Sequence, residues 1–362
     1  MGFALLLAAA LGATALAQAQ ANYPAPVEAD YVARNFAFAS GETLPELRLH
    51  YTTIGTPVRD AGGSVRNAVL VMHGTGGSGR GFLSAGFAGQ LFGPGQLLDA
   101  TKYFIILPDG IGHGRSSKPS DGLHLKFPKY SYDDMVKAQY LVVTEGLKVN
   151  HLRLVMGTSM GAMHSWVWGY RYPGFMDALL PLASNPAEIA GRNRMMRQMI
   201  IDDITGDPEW KQGEYTAQPR GLAAAAQILM LMTSVPLQWQ QELPTRAMAD
   251  SALHARLTRS LRSLDANDML YQFDASREYN PLPHLEQIQA PLFAINSADD
   301  QVNPPELGIL DREIKRVPHG RYILIPISEQ TRGHGTHSLP AIWGRYLAEL
   351  LETSHRPDSP VP

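Results

Sequence analysis

The sequence feature that most constrains the fold is a serine flanked by glycines, Gly157-Thr158-Ser159-Met160-Gly161. An apolar run, LRLVM, precedes it, and a helical pattern, AMHSWVWGYRYP, follows it. Strand, G-x-S-x-G and helix in this order indicate a nucleophile elbow, a sharp turn that exposes the serine hydroxyl. The turn also places the Met160 N–H at a helix N-terminus, where it can stabilise an oxyanion. We therefore predict that Ser159 is a nucleophile and that the Met160 N–H belongs to an oxyanion hole. A purely structural turn is the alternative.

Six short apolar segments predict a mostly parallel sheet flanked by helices. Each segment is apolar on both faces and bounded by Gly, Pro or polar residues, which suits strands covered by helices on both sides. The segments are 68–72, 103–107, 152–156, 178–182, 292–295 and 322–325. Helical patterns lie between them: one begins with a capping box from Ser131 to Asp134, and the last covers residues 339–352. The sequence therefore predicts an α/β fold.

Residues 187–283 interrupt this alternation of strands and helices. They are rich in Met, Gln, Arg and Ala, and their pattern is helical without a convincing strand. A helical insertion between two strands of a parallel sheet is expected to lie over the carboxyl ends of the strands, as a lid. A few extra surface helices are the alternative. The predicted organisation is a core formed by residues 30–186 and 284–355 with a lid at 187–283.

Composition excludes several classes of function. The chain has 362 residues, of which 44% are hydrophobic, so it can form a sizeable core. A net charge of −3 leaves no basic surplus to neutralise a phosphate backbone, and we expect no nucleic-acid partner. The chain has 0 cysteines, which removes disulfides, thiolate metal sites and cysteine nucleophiles. The histidines and carboxylates show no metal-ligand spacing, so we expect neither a metal nor another cofactor.

The N-terminus predicts export. Residues 3–16, FALLLAAALGATAL, form an apolar run too short to span a bilayer, and A-x-A cleavage patterns follow it. No Lys or Arg precedes the run, so an N-terminal helix is the alternative. We interpret residues 1–21 as a signal peptide and expect a periplasmic or secreted protein. No later stretch reaches transmembrane length, so we expect no membrane span in the mature protein.

Two later loops contain the base and the acid that a nucleophilic serine needs. Asp299 and Asp300 follow the strand PLFAI, and His334 and His337 follow YILIP, so the chain order is Ser, Asp, His. Asp300 is preferred because Asp-x-x-x-Pro leads into a helix, with Asp299 as the alternative. His334 is preferred because it follows Gly333 at the loop tip, with His337 as the alternative.

A glycine-rich loop, HGTGGSG at 73–79, follows the first predicted strand. Its glycines give the backbone room to present a donor, and the Thr75 N–H is the candidate second donor of the oxyanion hole. A phosphate-binding loop is the competing interpretation, but neither G-x-x-x-x-G-K-[ST] nor G-x-G-x-x-G is present. His73 is interpreted as a structural hydrogen-bonding residue. Asp109 and Arg115 in the next loop are interpreted as a buried network, with substrate contact as the alternative.

Together these segments resemble the homoserine O-acetyltransferase-like branch of the α/β-hydrolases. The resemblance covers about residues 45–185 and 285–350 and is carried by LFGPGQLLDATKYFIILPDGIGHGRSS, SYDDMVKAQYLV, MGTSMGAMHSWVWGYRYP, INSADDQVNPPE and RGHGTH. It implies an α/β-hydrolase fold with an eight-stranded core and a helical lid. It also implies a catalytic triad of Ser159, Asp300 and His334, and an acyl-enzyme formed by ping-pong chemistry.

The chain departs from these acetyltransferases in residues that concern the acyl acceptor. Ala162 and His164 stand where the family has a second glycine and a glutamine, and MLMTSVPLQ replaces a Tyr-Arg-Ser stretch. We therefore predict a serine hydrolase that acts on a carboxylic ester or a similar small acyl compound. O-acyl transfer through the same acyl-enzyme and a non-catalytic ligand-binding role are the alternatives. The oligomeric state is left open, with a homodimer as one option.

Overall fold

The computed structural model describes residues 22–354 and builds them around one eight-stranded sheet. The signal-peptide prediction at residues 1–21 lies outside the described residues. The strand order is β1-β2-β4-β3-β5-β6-β7-β8. The strands are β1 Val27–Ala37, β2 Thr43–Ile54, β3 Ala68–Met72, β4 Phe104–Pro108, β5 Leu154–Thr158, β6 Leu179–Leu182, β7 Leu292–Ser297 and β8 Gly320–Ile325. Strand β2 runs antiparallel to both of its neighbours, and every pair from β4 to β8 is parallel.

The six predicted strands are confirmed, with ends shifted by up to two residues. The hairpin of β1 and β2 was not among the predicted strands. Most residues of β1 are exposed, and β2 is buried mainly in its second half. A search for segments that are apolar on both faces finds interior parallel strands and misses an antiparallel edge hairpin, because one face of such a hairpin contacts water.

Alternating residues of the strands pack into two separate layers of core. In β3, Leu70 and Met72 point into one layer, whereas Val69 and Val71 point into the other. The first layer includes residues of α2 (Tyr132–Leu141) and α3 (Met160–Arg171), and the second includes residues of α1 (Ala88–Leu91) and α10 (Pro340–Thr353). The sheet is therefore buried on both faces, as the parallel strands require.

Two local predictions about helices are confirmed. The Asp134 N–H donates to Ser131 Oγ at 3.3 Å and the Ser131 N–H donates to Asp134 Oδ2 at 2.9 Å, which is the predicted capping box. Helix α10 lies within one residue of the predicted 339–352 at each end. A short helix, α9 (Ile309–Glu313), lies between β7 and β8.

The segment between β6 and β7 contains five helices and, among its residues, no strand. They are α4 Gly191–Thr205, α5 Gly221–Met232, α6 Pro236–Glu242, α7 Arg246–Ser260 and α8 Ala266–Asp274. Helices α4, α5 and α8 share a small apolar cluster that includes Ile200, Leu222 and Phe273. The first turn of α4 contacts the loop after β7, where Asn193 Nδ2 donates to the Val302 carbonyl at 3.3 Å. Their role as a lid remains a prediction.

Among residues 22–354, no individual helix has the length and apolar character needed to span a membrane. The pair Gly221–Met232 and Pro236–Glu242 meets the criterion of length and composition only when joined, and it is bent by 102°.

Candidate active site

Ser159 lies at the turn between β5 and α3, at the carboxyl edge of the sheet. Its backbone has φ 54° and ψ −113°, which is strained for any residue with a side chain. Gly157 and Gly161 make this turn sterically feasible: a Cβ on Gly157 would lie 2.1 Å from the Gly161 carbonyl oxygen, and a Cβ on Gly161 would lie 2.0 Å from that of Met72. The G-x-S-x-G pattern is therefore required by close backbone approaches.

The structure brings Ser159, His334 and Asp300 into one hydrogen-bonded chain. His334 Nε2 is 2.8 Å from Ser159 Oγ, and His334 Nδ1 is 2.9 Å from Asp300 Oδ2. His334 and Asp300 are both buried, whereas Ser159 is partly exposed. Because the carboxylate can only accept, the His334 proton lies on Nδ1, and Nε2 is free to accept the serine proton.

Asp300 is held as a carboxylate by its surroundings. Its Oδ1 accepts from the Val302 N–H at 2.7 Å and the Asn303 N–H at 3.2 Å, and its Oδ2 accepts from Asn303 Nδ2 at 3.1 Å. Burial acts to raise the pKa of Asp300, but the His334 imidazole and these hydrogen bonds outweigh burial and keep that pKa below its ordinary value. Asp300 is therefore charged at neutral pH.

The two alternative residues from the sequence analysis, Asp299 and His337, lie next to this hydrogen-bonded chain and are not part of it. Asp299 accepts from Thr331 Oγ1 at 2.8 Å and from the Ser297 hydroxyl, so it fastens the histidine loop to the end of β7. The His337 ring stands edge-on to His334 at 5.3 Å. Burial, together with the neighbouring His334, lowers the pKa of His337 to about 3, so its imidazole is neutral.

The loop after β3 passes directly beside the serine. A Cβ on Gly74 would lie 3.2 Å from Ser159 Cβ. His73 Nε2 accepts from the Gly110 N–H at 3.0 Å, so His73 Nδ1 carries the proton that it donates to the Gly74 carbonyl at 2.8 Å. The Gly74 C=O and the Thr75 N–H belong to one trans peptide and point in opposite directions. His73 therefore sets the orientation of the Thr75 N–H.

The two predicted oxyanion donors have no competing backbone acceptor. Met160 is the first residue of α3, so its N–H has no carbonyl one turn earlier in the helix. The Thr75 N–H makes no backbone hydrogen bond to any residue from 22 to 354. Both donors are thus available on backbone that adjoins Ser159.

Asp109 fixes the loops after β3 and β4 to one another. Its Oδ1 accepts from the Gly79 N–H at 2.7 Å, and its Oδ2 accepts from the Arg115 N–H at 2.8 Å. The Arg115 guanidinium reaches outward to Glu28 at 2.6 Å. Asp109 therefore forms the buried network predicted at this turn. The Arg115 side chain lies at the surface and takes no part in that network.

Several residues that hold the site together were not singled out from the sequence. Asn303 and Thr331 fasten the acid and histidine loops, and an amide three residues after the candidate acid is a signal that could have identified Asn303. Helix α8 contributes Asp268, which accepts from the Ser120 N–H at 2.9 Å and from Ser120 Oγ at 2.7 Å. Burial raises the pKa of Asp268 to about 6 despite these hydrogen bonds.

In residues 22–354, His, Asp and Glu side chains form no group that could hold a metal ion.

Comparison with known proteins places this geometry in a family. A family model described as the alpha/beta hydrolase fold matches residues 67–329. A probable acyltransferase of Methanothermobacter thermautotrophicus is 29% identical over 273 residues, covering 75% of this chain and 82% of that protein. Homoserine O-acetyltransferase of Pelobacter propionicus is 30% identical over 275 residues, covering 70% and 68%. That of Methanohalophilus mahii is 28% identical over 302 residues, covering 74% and 60%.

Solved structures with the same architecture include both transferases and hydrolases. Homoserine O-acetyltransferase from Bacillus anthracis superposes with a TM-score of 0.78 at 20% identity, covering 93% of this chain and 99% of that chain. An acetylester hydrolase from Corynebacterium glutamicum superposes with a TM-score of 0.78 at 22% identity, covering 90% and 96%. At these identities the likeness establishes the fold.

Proposed function

Because this chain is an enzyme of the α/β-hydrolase family, in its homoserine O-acetyltransferase-like branch, we propose that it is a serine hydrolase of carboxylic esters or similar acyl compounds. The observation that carries the proposal is the hydrogen-bonded chain from Ser159 through His334 to Asp300. A non-catalytic binding protein does not need a strained serine, a histidine nitrogen within hydrogen-bond distance of its hydroxyl and a buried carboxylate in this order.

The proposed reaction has two halves. His334 Nε2 takes the hydroxyl proton as Ser159 Oγ attacks the acyl carbon, and the N–H groups of Thr75 and Met160 stabilise the oxyanion. The leaving alcohol takes the proton from His334, and the acyl group stays on Ser159. Water then attacks the acyl-enzyme, gives a proton to His334, and the acid departs as that proton returns to Ser159. Asp300 stabilises the imidazolium in both halves.

Acyl transfer to a hydroxyl acceptor is the second candidate, and the names of the relatives favour it. A transferase must keep water away from its acyl-enzyme, which requires an acceptor site under a closed lid. In this chain MLMTSVPLQ stands where the acetyltransferases have a Tyr-Arg-Ser stretch, and His164 stands in place of a glutamine. Hydrolysis is therefore the preferred proposal.

One assay distinguishes the two candidates. Acyl release is measured from a p-nitrophenyl acetate and from acetyl-CoA, each with and without homoserine. A hydrolase releases acetate from the ester at a rate that homoserine leaves unchanged. Turnover of acetyl-CoA that depends on homoserine overturns the proposal in favour of transfer, and lack of labelling by a fluorophosphonate overturns both.

We also propose that the mature protein is exported. The support is the apolar run at residues 3–16 and the A-x-A patterns after it, which lie outside the described residues. N-terminal sequencing of the protein from its native host tests this proposal: an intact residue 1 on the functional protein contradicts it.

A further inference from the structure

Gln272 is a buried amide on α8 that the proposed reaction does not use. Its side chain is 8% exposed, and its Nε2 donates to the Gly112 carbonyl at 2.8 Å. A carbonyl can only accept, so this contact decides which end of the amide is nitrogen. The Gln272 Oε1 therefore faces away from Gly112 with a settled orientation.

This oxygen lies beside the loop that carries the predicted oxyanion donor. A Cβ on Gly76 would be 3.9 Å from Gln272 Oε1, and Gly76 follows Thr75 directly. No donor in the described part of the chain pairs with Oε1, and the atom is not sealed from solvent. A hydrogen-bond acceptor is thus left open between the inserted helices and the loop next to Ser159.

Helix α8 holds this acceptor rigidly. The carboxylate of Asp268, one turn earlier, accepts two hydrogen bonds from Ser120, and the Tyr271 hydroxyl donates to the Phe127 carbonyl at 2.7 Å. These contacts join α8 to the loop after β4, which belongs to the core. An acceptor on such an anchored helix loses little freedom when it binds a ligand, which favours selectivity.

We propose that Gln272 is a specificity-determining residue that accepts a hydrogen bond from a substrate hydroxyl, so that the enzyme prefers hydroxylated esters. The inference rests on the proposed hydrolase function. A carboxylate offers no donor to Oε1, and burying an ammonium costs more free energy than burying a neutral hydroxyl. A hydroxyl is an uncharged donor and matches an uncharged acceptor. The hydroxyl belongs either to the alcohol part or to the acyl part of the ester.

Two pairs of esters test the proposal and distinguish these two sources. The alcohol pair is 2-hydroxyethyl acetate against propyl acetate, and the acyl pair is ethyl 3-hydroxybutyrate against ethyl 3-methylbutyrate. In each pair a methyl group replaces the hydroxyl, so size is matched. We expect kcat/KM to be about 3- to 10-fold higher for the hydroxylated ester in one pair, the range typical of one hydrogen bond.

Gln272→Met is expected to bring that ratio to about one, because it removes the acceptor for the substrate hydroxyl. Tyr271→Phe is the matched control, because it removes another α8 contact with the core and leaves Oε1 in place. It should preserve the ratio.

A wild-type ratio near one in both pairs overturns the proposal without any variant. A ratio that Gln272→Met leaves unchanged, or that Tyr271→Phe lowers equally, also overturns it. If the wild type hydrolyses none of the four esters, the proposed function fails, and the inference fails with it.

Discussion

Helix α3, which follows Ser159, and helix α7 in the insertion differ in how far they are buried. Ten of the twelve residues of α3 are buried, whereas none of the fifteen residues of α7 is. Large apolar side chains that the insertion exposes are Met195, Met199, Leu231, Leu237, Met248 and Leu253. The core therefore holds the serine turn with many contacts. The insertion contacts the core through Tyr271 and Tyr279, which pack into one of its apolar layers, and through hydrogen bonds, whereas α7 itself has no buried residue. This difference suits a division in which the core performs the chemistry and the insertion selects substrates.

The largest effect that this comparison predicts concerns the serine of the core. Ser159→Ala is expected to lower kcat/KM at least about a thousandfold and to abolish fluorophosphonate labelling, because removal of a triad member leaves little chemistry. Ser251→Ala, at an exposed serine of α7, is the control and should match the wild type. Labelling of the Ser159 variant at the wild-type rate would place the nucleophile elsewhere.

The two histidines of one loop are expected to differ almost as strongly. His334→Ala should lose about as much activity as the serine variant, since His334 Nε2 contacts Ser159 Oγ at 2.8 Å. His337→Ala removes a neutral ring packed against His334 and should keep most of the activity. Steady-state kinetics on one ester measures both. The reverse result would assign the base to His337.

Acid should destabilise the core. Burial is the main cause that lowers the pKa of a set of histidines. For two of them, His113 and His337, the pKa falls to about 3. The full set is His73, His113, His164 and His337. Above pH 6.5 these residues are neutral in both states. Below it the unfolded chain binds protons that the folded chain does not, so stability falls as the pH drops from about 6.5 towards 3.

Urea denaturation at pH 8, 6 and 5 measures this fall. His113 and His337 each cost up to about 1.4 kcal/mol of unfolding free energy per pH unit within the window. His164→Gln should make the dependence shallower because it removes one of these groups. An unfolding free energy that stays level from pH 8 to pH 5 contradicts the prediction.

The smallest effects are expected at the surface of the insertion. Met248→Ala, at an exposed position of α7, should change the unfolding free energy by less than about 0.5 kcal/mol. Ile204→Ala, in the apolar cluster of the insertion, should cost about 2 to 4 kcal/mol because it leaves a cavity. Thermal unfolding compares the two. Equal losses would mean that the insertion has no core of its own.

Much of the fold could be read from short segments, and the exceptions have physical causes. Segments apolar on both faces identified β3 to β8, because an interior parallel strand must be buried on both sides. The β1–β2 hairpin was not predicted, because its exposed residues break that pattern. Asp299 and Asp300 are adjacent in the sequence, and spacing alone left both open; the structure separates them because Asp300 contacts His334 and Asp299 contacts Thr331.

The sequence by itself determined the elbow around Ser159, the order of nucleophile, acid and base, and the insertion between two strands. These features are local: a strand, a turn that needs glycines and a helix are each specified by residues close in the chain. Only the tertiary structure decided which carboxylate meets His334, how His73 orients the Thr75 N–H, and where Gln272 lies. These contacts join segments far apart in sequence, and their partners become neighbours only when the sheet and helices pack.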